Sequence, residues 1–282
     1  MKILVSMIIS SPVGDTTFQE SFMKAWMENY NLTRDPDTHL VARFNTWGCK
    51  TMEGTYNNGI WILNSMGVMQ GAMHADKEGF DAVLLTCFDD PLQWQLRSLI
   101  DIPVVSYGEA CMTYGTMMGE KLGIVVAMDY NPARTREQIN RLGLTNRVAG
   151  VRAFNIPESV LAEGYVNAEY VIEEFKKVAR KLIEDGADVI IPGCGFYSPI
   201  LRLAKGMEDK YPNGLDEVDG VPVMDVLSVG IQTAEMMVHL KDAGCKWISR
   251  KGRYTLPKQS MLEDGASCLV DDRMHYWDIE LC

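Results

Sequence analysis

This chain of 282 residues lacks several features that would each point to a function on their own. It has no C-x-x-C pair, and its four histidines (His39, His74, His239 and His275) stand at no zinc-ligand spacing to one another or to cysteine. No metal site is therefore expected. Its seven cysteines (Cys49, Cys87, Cys111, Cys194, Cys245, Cys268 and Cys282) are odd in number and widely scattered, which excludes a disulfide framework. A reducing, cytoplasmic compartment is expected. No apolar run reaches about 18 residues, so no membrane span is expected. The opening Met1–Ile9 segment has one basic residue and no small-x-small cleavage site, and reads as a buried strand rather than a leader. Positive charge is scarce as well. With 27 Lys and Arg against 38 Asp and Glu, the net charge is −11, which argues against nucleic acid or an anionic membrane as the partner. A small-molecule substrate and a homo-oligomer are expected instead.

Apolar residues are plentiful, enough for the core of one large domain or two modest ones. Short apolar runs at Ile3–Ile9, Ala82–Leu85, Val104–Val105, Ile124–Ala127, Val189–Ile191 and Val221–Met224 are nearly uniform rather than alternating, as in strands buried on both faces of a parallel sheet. Between them the pattern predicts helices over Phe18–Tyr30, Gly59–Glu78, Cys111–Lys121, Pro132–Leu142, Val160–Glu184 and Val226–Lys241. This alternation defines an α/β fold with right-handed crossovers.

The two halves echo each other. Val83-Leu84-Leu85-Thr86-Cys87-Phe88-Asp89-Asp90-Pro91 has a counterpart in Val189-Ile190-Ile191-Pro192-Gly193-Cys194-Gly195-Phe196-Tyr197-Ser198-Pro199. In both, a buried strand ends at a cysteine, an aromatic follows, and a proline opens the next helix. Ile102-Pro103-Val104-Val105 is likewise matched by Val221-Pro222-Val223-Met224. Two pseudo-symmetric lobes are expected, each a mostly parallel sheet flanked by helices, with the active site in the cleft between them. Residues 1–111 with 225–282 would form one lobe and 112–224 the other. The tail from Trp247 onward reads as a surface extension or subunit contact.

Either cysteine alone is most simply a small buried hydrophobe. Two of them at equivalent strand ends, where open α/β sheets bind ligands, supply two thiols for one ligand. Such a pair suits inversion at a C–H centre: one thiolate removes the proton and the opposite thiol returns one to the other face. Gly193 and Gly195 allow close backbone approach around Cys194. The N–H groups opening the helix after each cysteine are expected to stabilise a developing enolate.

Thr86-Cys87-Phe88-Asp89-Asp90-Pro91, Gly108-Glu109-Ala110 after a Pro-Val strand, and Gly186-Ala187-Asp188 leading to Gly193-Cys194-Gly195 resemble hydantoin racemase, of the cofactor-independent aspartate/glutamate racemase superfamily. The similarity runs over roughly Met1 to Gly244. It implies two α/β lobes, no cofactor, and Cys87 and Cys194 as the acid/base pair. Cys111 reads as packing. Amino-acid racemases of the superfamily follow their cysteines with Asn-Thr and Thr-His, whereas Phe88-Asp89 and Gly195-Phe196 stand here. The hydroxyl-rich cradle for an α-carboxylate is thus missing. Asp89 and Asp90 would repel an anion but accept hydrogen bonds from ring N–H donors, or else cap the helix opened by Pro91. Ser10-Ser11-Pro12 replaces the Asn-Pro-Asn-Thr type of loop, and Ser10 and Ser11 are candidate donors to a substrate carbonyl. Tyr130, after the second lobe's first strand, is a candidate phenolic donor or a packing aromatic.

A racemase of 5-substituted hydantoins or similar cyclic amides is the expected enzyme. The alternatives are an isomerase or decarboxylase of small diacids on the same scaffold, an aspartate/glutamate-type racemase, and a two-lobed binding protein that is not an enzyme.

Overall fold

The structure, a computed structural model, describes residues 1–11, 19–265 and 276–282. Pro12, Phe18, Cys268 and His275 lie outside the described residues. The chain divides into two compact units, one of Met1–Asp15, Asp35–Ser106 and Gln232–Cys282, the other of Thr16–Arg34 and Tyr107–Ile231.

The first unit is built on a five-stranded sheet. Its strands are β1 (Lys2–Ser6), β2 (His39–Asn45), β3 (Ala82–Leu85), β4 (Val104–Ser106) and, last in the chain, β10 (Tyr276–Glu280), in the order β10-β2-β1-β3-β4. The first four run parallel, and β10 joins β2 antiparallel. Ile3, Leu4, Val5 and all of β3 are fully buried, as a strand covered on both faces requires. Helices α2 (Asn58–Ala72), α3 (Gln93–Arg97) and α10 (Gln259–Asp264) belong to this unit. Asn57 starts α2 by accepting the N–H groups of Gly59 and Ile60.

Strand β2 was not foreseen because Arg43 interrupts its apolar run. The guanidinium is buried nonetheless, held by Glu78 at 2.6 Å, Asp278 at 2.7 Å and the Gly71 carbonyl at 2.8 Å. Asp278 comes from the tail, and this corrects the expectation of a mere surface extension. The tail's last strand extends the sheet, with Trp277 stacked on Phe44 at 5.1 Å. Ahead of it, Arg250 donates to the carbonyls of Arg97 and Ile100 and pairs with Asp101.

The second unit carries a three-stranded parallel sheet in the order β6-β5-β7, from β5 (Leu122–Val126), β6 (Val148–Ala153) and β7 (Val189–Gly193). Its helices are α1 (Lys24–Tyr30), α4 (Tyr107–Met118), α5 (Asn131–Leu142), α6 (Glu158–Gly164), α7 (Glu169–Glu184) and α8 (Ser198–Leu203). One further helix, α9 (Val226–Asp242), begins in this unit and ends in the first. Helix α7 buries Val171, Ile172, Phe175, Ala179 and Leu182, one apolar stripe at helical spacing, against β5 and β6. The edge strand β6 escaped the sequence pattern, since Gly150 and Arg152 dilute it and most of it is only half-buried.

Two expected elements are corrected. Val160–Glu184 is two helices, because the chain breaks at Gly164-Tyr165-Val166-Asn167. A Cβ on Gly164 would lie 2.8 Å from Val171 Cγ2, and Asn167 accepts the Glu169 N–H at 3.0 Å to start α7. Val221–Met224 does not form a full strand of the parallel sheet. Val221–Pro222 (β9) instead makes a hairpin with Glu217–Val218 (β8), turned by Asp219 and Gly220 at positive φ, and only Val223 bridges to Ile190.

The units also differ from the expected boundaries at three segments. Residues 16–34, Tyr107–Cys111 and 225–231 fall in the second unit. Trp26 donates to the Gly195 carbonyl, Asn29 to Asp225, and the Tyr30 and Tyr107 hydroxyls share a hydrogen bond. Contacts between segments far apart in sequence decide this membership.

Candidate active site

In the first unit, parallel pairing puts the ends of β1 and β3 at one sheet edge. Thr86, just past β3, bonds the Ser6 carbonyl through both its amide (3.2 Å) and its hydroxyl (2.9 Å). Half-buried Cys87 follows. Its carbonyl accepts the Ser106 hydroxyl at 2.9 Å, so the end of β4 braces the thiol-bearing residue. Ser10 and Ser11 are buried in the loop after β1, at the same edge. Their amides donate to the Cys49 and Asn45 carbonyls at 2.7 and 3.0 Å, and the Ser10 hydroxyl reaches the Gly48 carbonyl at 3.1 Å. Trp277 Nε1 donates to the Ser11 carbonyl at 2.9 Å. Phe88 and Asp90 are buried, and Asp89 is half-buried.

The chain after Cys87 departs from expectation. Asp90 and Leu92 both hold left-handed backbone, with φ of 49° and 48°, which costs a side-chain-bearing residue about 1–2 kcal/mol. Pro91 between them does not open α3. Leu92 is the residue at its start and has no capping group of its own. Helix α3 is a single short turn, too brief to present the anion-binding end expected of it.

In the second unit, β5 and β7 end side by side, with Val126 opposite Gly193. Cys194 follows β7 and is buried. Tyr130 follows β5 at the same edge, half-buried at the start of α5, under the Arg134 guanidinium at 5.2 Å. Gly108, buried, and Glu109, half-buried, lie in the first turn of α4, directly after β4. Cys111 is fully buried in that helix, as a packing residue would be, with its thiol 3.7 Å from the Val226 carbonyl. Pro199 does sit in the first turn of α8. The Ser198 amide there already donates to the Cys194 carbonyl at 3.2 Å, and Pro199 has no N–H, so the helix start is not the expected row of open donors.

What was not legible is the aromatic cluster around the Gly195-Phe196 turn. Trp26 Nε1 donates to the Gly195 carbonyl at 3.0 Å, and the Tyr165 hydroxyl donates to the Phe196 carbonyl. Phe22 stacks on Phe196 at 4.7 Å and meets Tyr165 edge-on at 5.8 Å. Tyr197 donates to the Val125 carbonyl at 2.5 Å. Burial, and secondarily the nearby charge of Cys194, pushes the Tyr165 and Tyr197 phenols well above their ordinary range, so both stay neutral donors. Gly164 and Asn167 were the available signal, since they interrupt a helical pattern where Tyr165 stands.

Among the described residues, no group of three or more His, Cys, Asp or Glu side chains is placed to hold a metal ion. None of the six described cysteines is disulfide-bonded, and none of the described helices is long and apolar enough to cross a membrane.

With this architecture, the match of a racemase family model over most of the chain makes the protein a racemase, an enzyme of the isomerase class. The chain belongs to the Asp/Glu/hydantoin racemase family, whose model matches residues 20–234. It is 26% identical over 205 residues to a hydantoin racemase of Pseudomonas sp. (strain NS671), covering 72% of this chain and 76% of that protein. It is 22% identical over 212 residues to the hydantoin racemase of Rhizobium meliloti, covering 75% and 81%. The fold is shared with allantoin racemase from Klebsiella pneumoniae, at a TM-score of 0.70 and 21% identity over 92% of this chain and 94% of that one.

Proposed function

We propose that this racemase inverts the carbonyl-adjacent stereocentre of 5-substituted hydantoins or similar cyclic amides, with Cys87 and Cys194 as the two acid/base groups. The observation that carries this reading is the equivalence of the two cysteines, each directly beyond the carboxyl end of a buried parallel strand in its own unit. The likeness to hydantoin racemases over about three-quarters of the chain supports the substrate class.

The C5–H proton of such a ring is acidified by the adjacent carbonyl. One cysteine thiolate takes it, becoming a thiol and leaving an enolate. The other thiol donates its proton to the opposite face, becoming a thiolate and leaving the mirror-image ring. The two cysteines have then exchanged protonation states, and exchange with water resets them. The Ser11 hydroxyl and backbone amides hold the carbonyl oxygens as charge develops, and the Ser10 hydroxyl joins them only by leaving the Gly48 carbonyl. Asp89 accepts a ring N–H, which disfavours substrates bearing an α-carboxylate. Phe88, Gly108, Glu109, Tyr130, Gly195 and Phe196 complete the substrate-binding set.

The test is to incubate each enantiomer of a 5-alkyl- or 5-arylhydantoin in deuterated water and follow optical rotation together with isotope uptake. Cys87→Ser and Cys194→Ser each abolish inversion, and each variant exchanges the proton of one enantiomer only, opposite for the two. Full racemisation by either variant would refute the two-base assignment. Turnover of malonates or maleate, with none of hydantoins, would move the chemistry to the diacid alternatives.

A further inference from the structure

The mechanism gives the C-terminal strand no part, although that strand reaches the loop carrying Ser10 and Ser11. Strand β10 lies past residue 234, where the family match ends. It pairs with β2, Trp277 standing opposite Phe44 and Asp278 opposite Arg43. Successive residues of a strand point to opposite faces of the sheet. On one face Tyr276 and Asp278 anchor the strand. Asp278 takes the buried Arg43 guanidinium through both oxygens, at 2.7 and 2.8 Å. The Tyr276 ring lies over the same guanidinium, and its hydroxyl donates to Glu78 at 2.8 Å. On the other face the half-buried Trp277 stacks on Phe44 and donates from Nε1 to the Ser11 carbonyl at 2.9 Å.

That bond falls on a peptide with little else to hold it. Pro12 follows Ser11 and has no N–H, so the carbonyl is the hydrogen-bonding group of the peptide that joins them. Ser11 is only 6% exposed, and a carbonyl that loses its donor there is costly. The Ser11 amide is held too, by the Asn45 carbonyl at 3.0 Å, at the end of the strand that β10 pairs with. The peptides on both sides of the serine are thus held, one by β2 and the other by β10. Neither bond occupies the serine hydroxyl. All of these residues belong to the first unit.

We infer that Trp277 is a positioning residue of the racemase site: its indole N–H holds the peptide between Ser11 and Pro12, and with it the serine whose hydroxyl donates to a substrate carbonyl. This rests on the reading of Ser11 as that donor. Trp277 acts through Ser11 and not on the substrate. The last strand then serves the site as well as the sheet, from a part of the chain that the family match does not reach.

The test joins hydrogen–deuterium exchange of the full-length protein, read on the segment of residues 8–11, with racemisation of a 5-substituted hydantoin. Trp277→Phe keeps a ring against Phe44 and removes the N–H donor. In this variant the segment exchanges about tenfold faster, the scale of one lost hydrogen bond, while β3 and the second unit are unmoved. Tyr276→Phe loses the Glu78 bond on the opposite face and leaves the segment as in the wild type. Trp277→Phe also lowers kcat about tenfold with KM little changed, as for an interaction made in the transition state. In a Ser11→Ala background the same change has no further effect. Unmoved exchange in folded Trp277→Phe would overturn the inference. So would an equal rise in Trp277→Phe and Tyr276→Phe, which marks a loosened tail, or losses that multiply in the double variant, which mark a role apart from Ser11. If exchange rises in Trp277→Phe but Ser11→Ala racemises hydantoins as fast as the wild type, Trp277 still holds the loop, and the reading of Ser11 as donor is what fails.

Discussion

The segment after Cys87 and the segment after Cys194 occupy equivalent places and are built in opposite ways. After Cys87 the backbone itself carries strain, with Asp90 and Leu92 both left-handed around Pro91 and one serine bracing the cysteine carbonyl. After Cys194 no residue up to the end of α8 has positive φ, and the turn is shaped by aromatic donors on its carbonyls. Cys87 is half-buried and Cys194 buried. Two thiols can share a sheet-edge position and a chemical task while their local fields come from different sources. Such an enzyme need not treat its two enantiomers alike.

The sharpest way to break the comparison is through the thiols. Cys87→Ser and Cys194→Ser are each expected to abolish inversion, a loss of at least about a thousandfold on the scale of a lost acid/base group, with half-reaction exchange of opposite enantiomers. Exchange of the same enantiomer by both variants would erase the difference between the segments.

Next is alkali. Tyr30, Tyr107, Tyr165 and Tyr197 all lie in the second unit, and burial raises each above its ordinary value of 10.0. Their contribution to stability is complete below about pH 10. It is lost as the pH rises further, because the unfolded chain then sheds protons that the folded one keeps. Limited proteolysis stepped upward from about pH 8 is expected to cut the second unit before the first. Simultaneous cutting would show that the tyrosines do not distinguish the units.

Ser106→Ala removes the brace on the Cys87 carbonyl. It is expected to cost about 1 kcal/mol in urea unfolding and to change the alkylation profile of Cys87 but not that of Cys194. The smallest effect is expected from Leu92→Gly. Relief of the left-handed backbone offsets loss of a half-buried side chain, so stability changes by less than about 1 kcal/mol. Turnover should fall nonetheless, as the loop behind Cys87 loses its single shape. A loss above about 3 kcal/mol would mean that Leu92 packs the unit rather than shaping the loop.

Much of this was legible in the residues. Strand β3 runs over Ala82–Leu85 as its uniform apolar run predicts, and α5 and α9 fall within a residue of expectation. Strands β2 and β6 were not legible, because Arg43, Gly150 and Arg152 break the pattern that marks a buried strand. Arg43 is tolerable inside only because Glu78 and Asp278 meet it, and Asp278 lies 235 residues away.

The sequence by itself determined the alternation of strand and helix, the placing of both cysteines just past strand ends, and the family. Those follow from local periodicity and short motifs. The tertiary structure alone decided that residues 16–34 join the second unit, that Tyr165 stands at a helix break, and that Trp26 meets Gly195 across 169 positions. A buried N–H must find an acceptor, but which carbonyl it finds depends on how the whole chain packs.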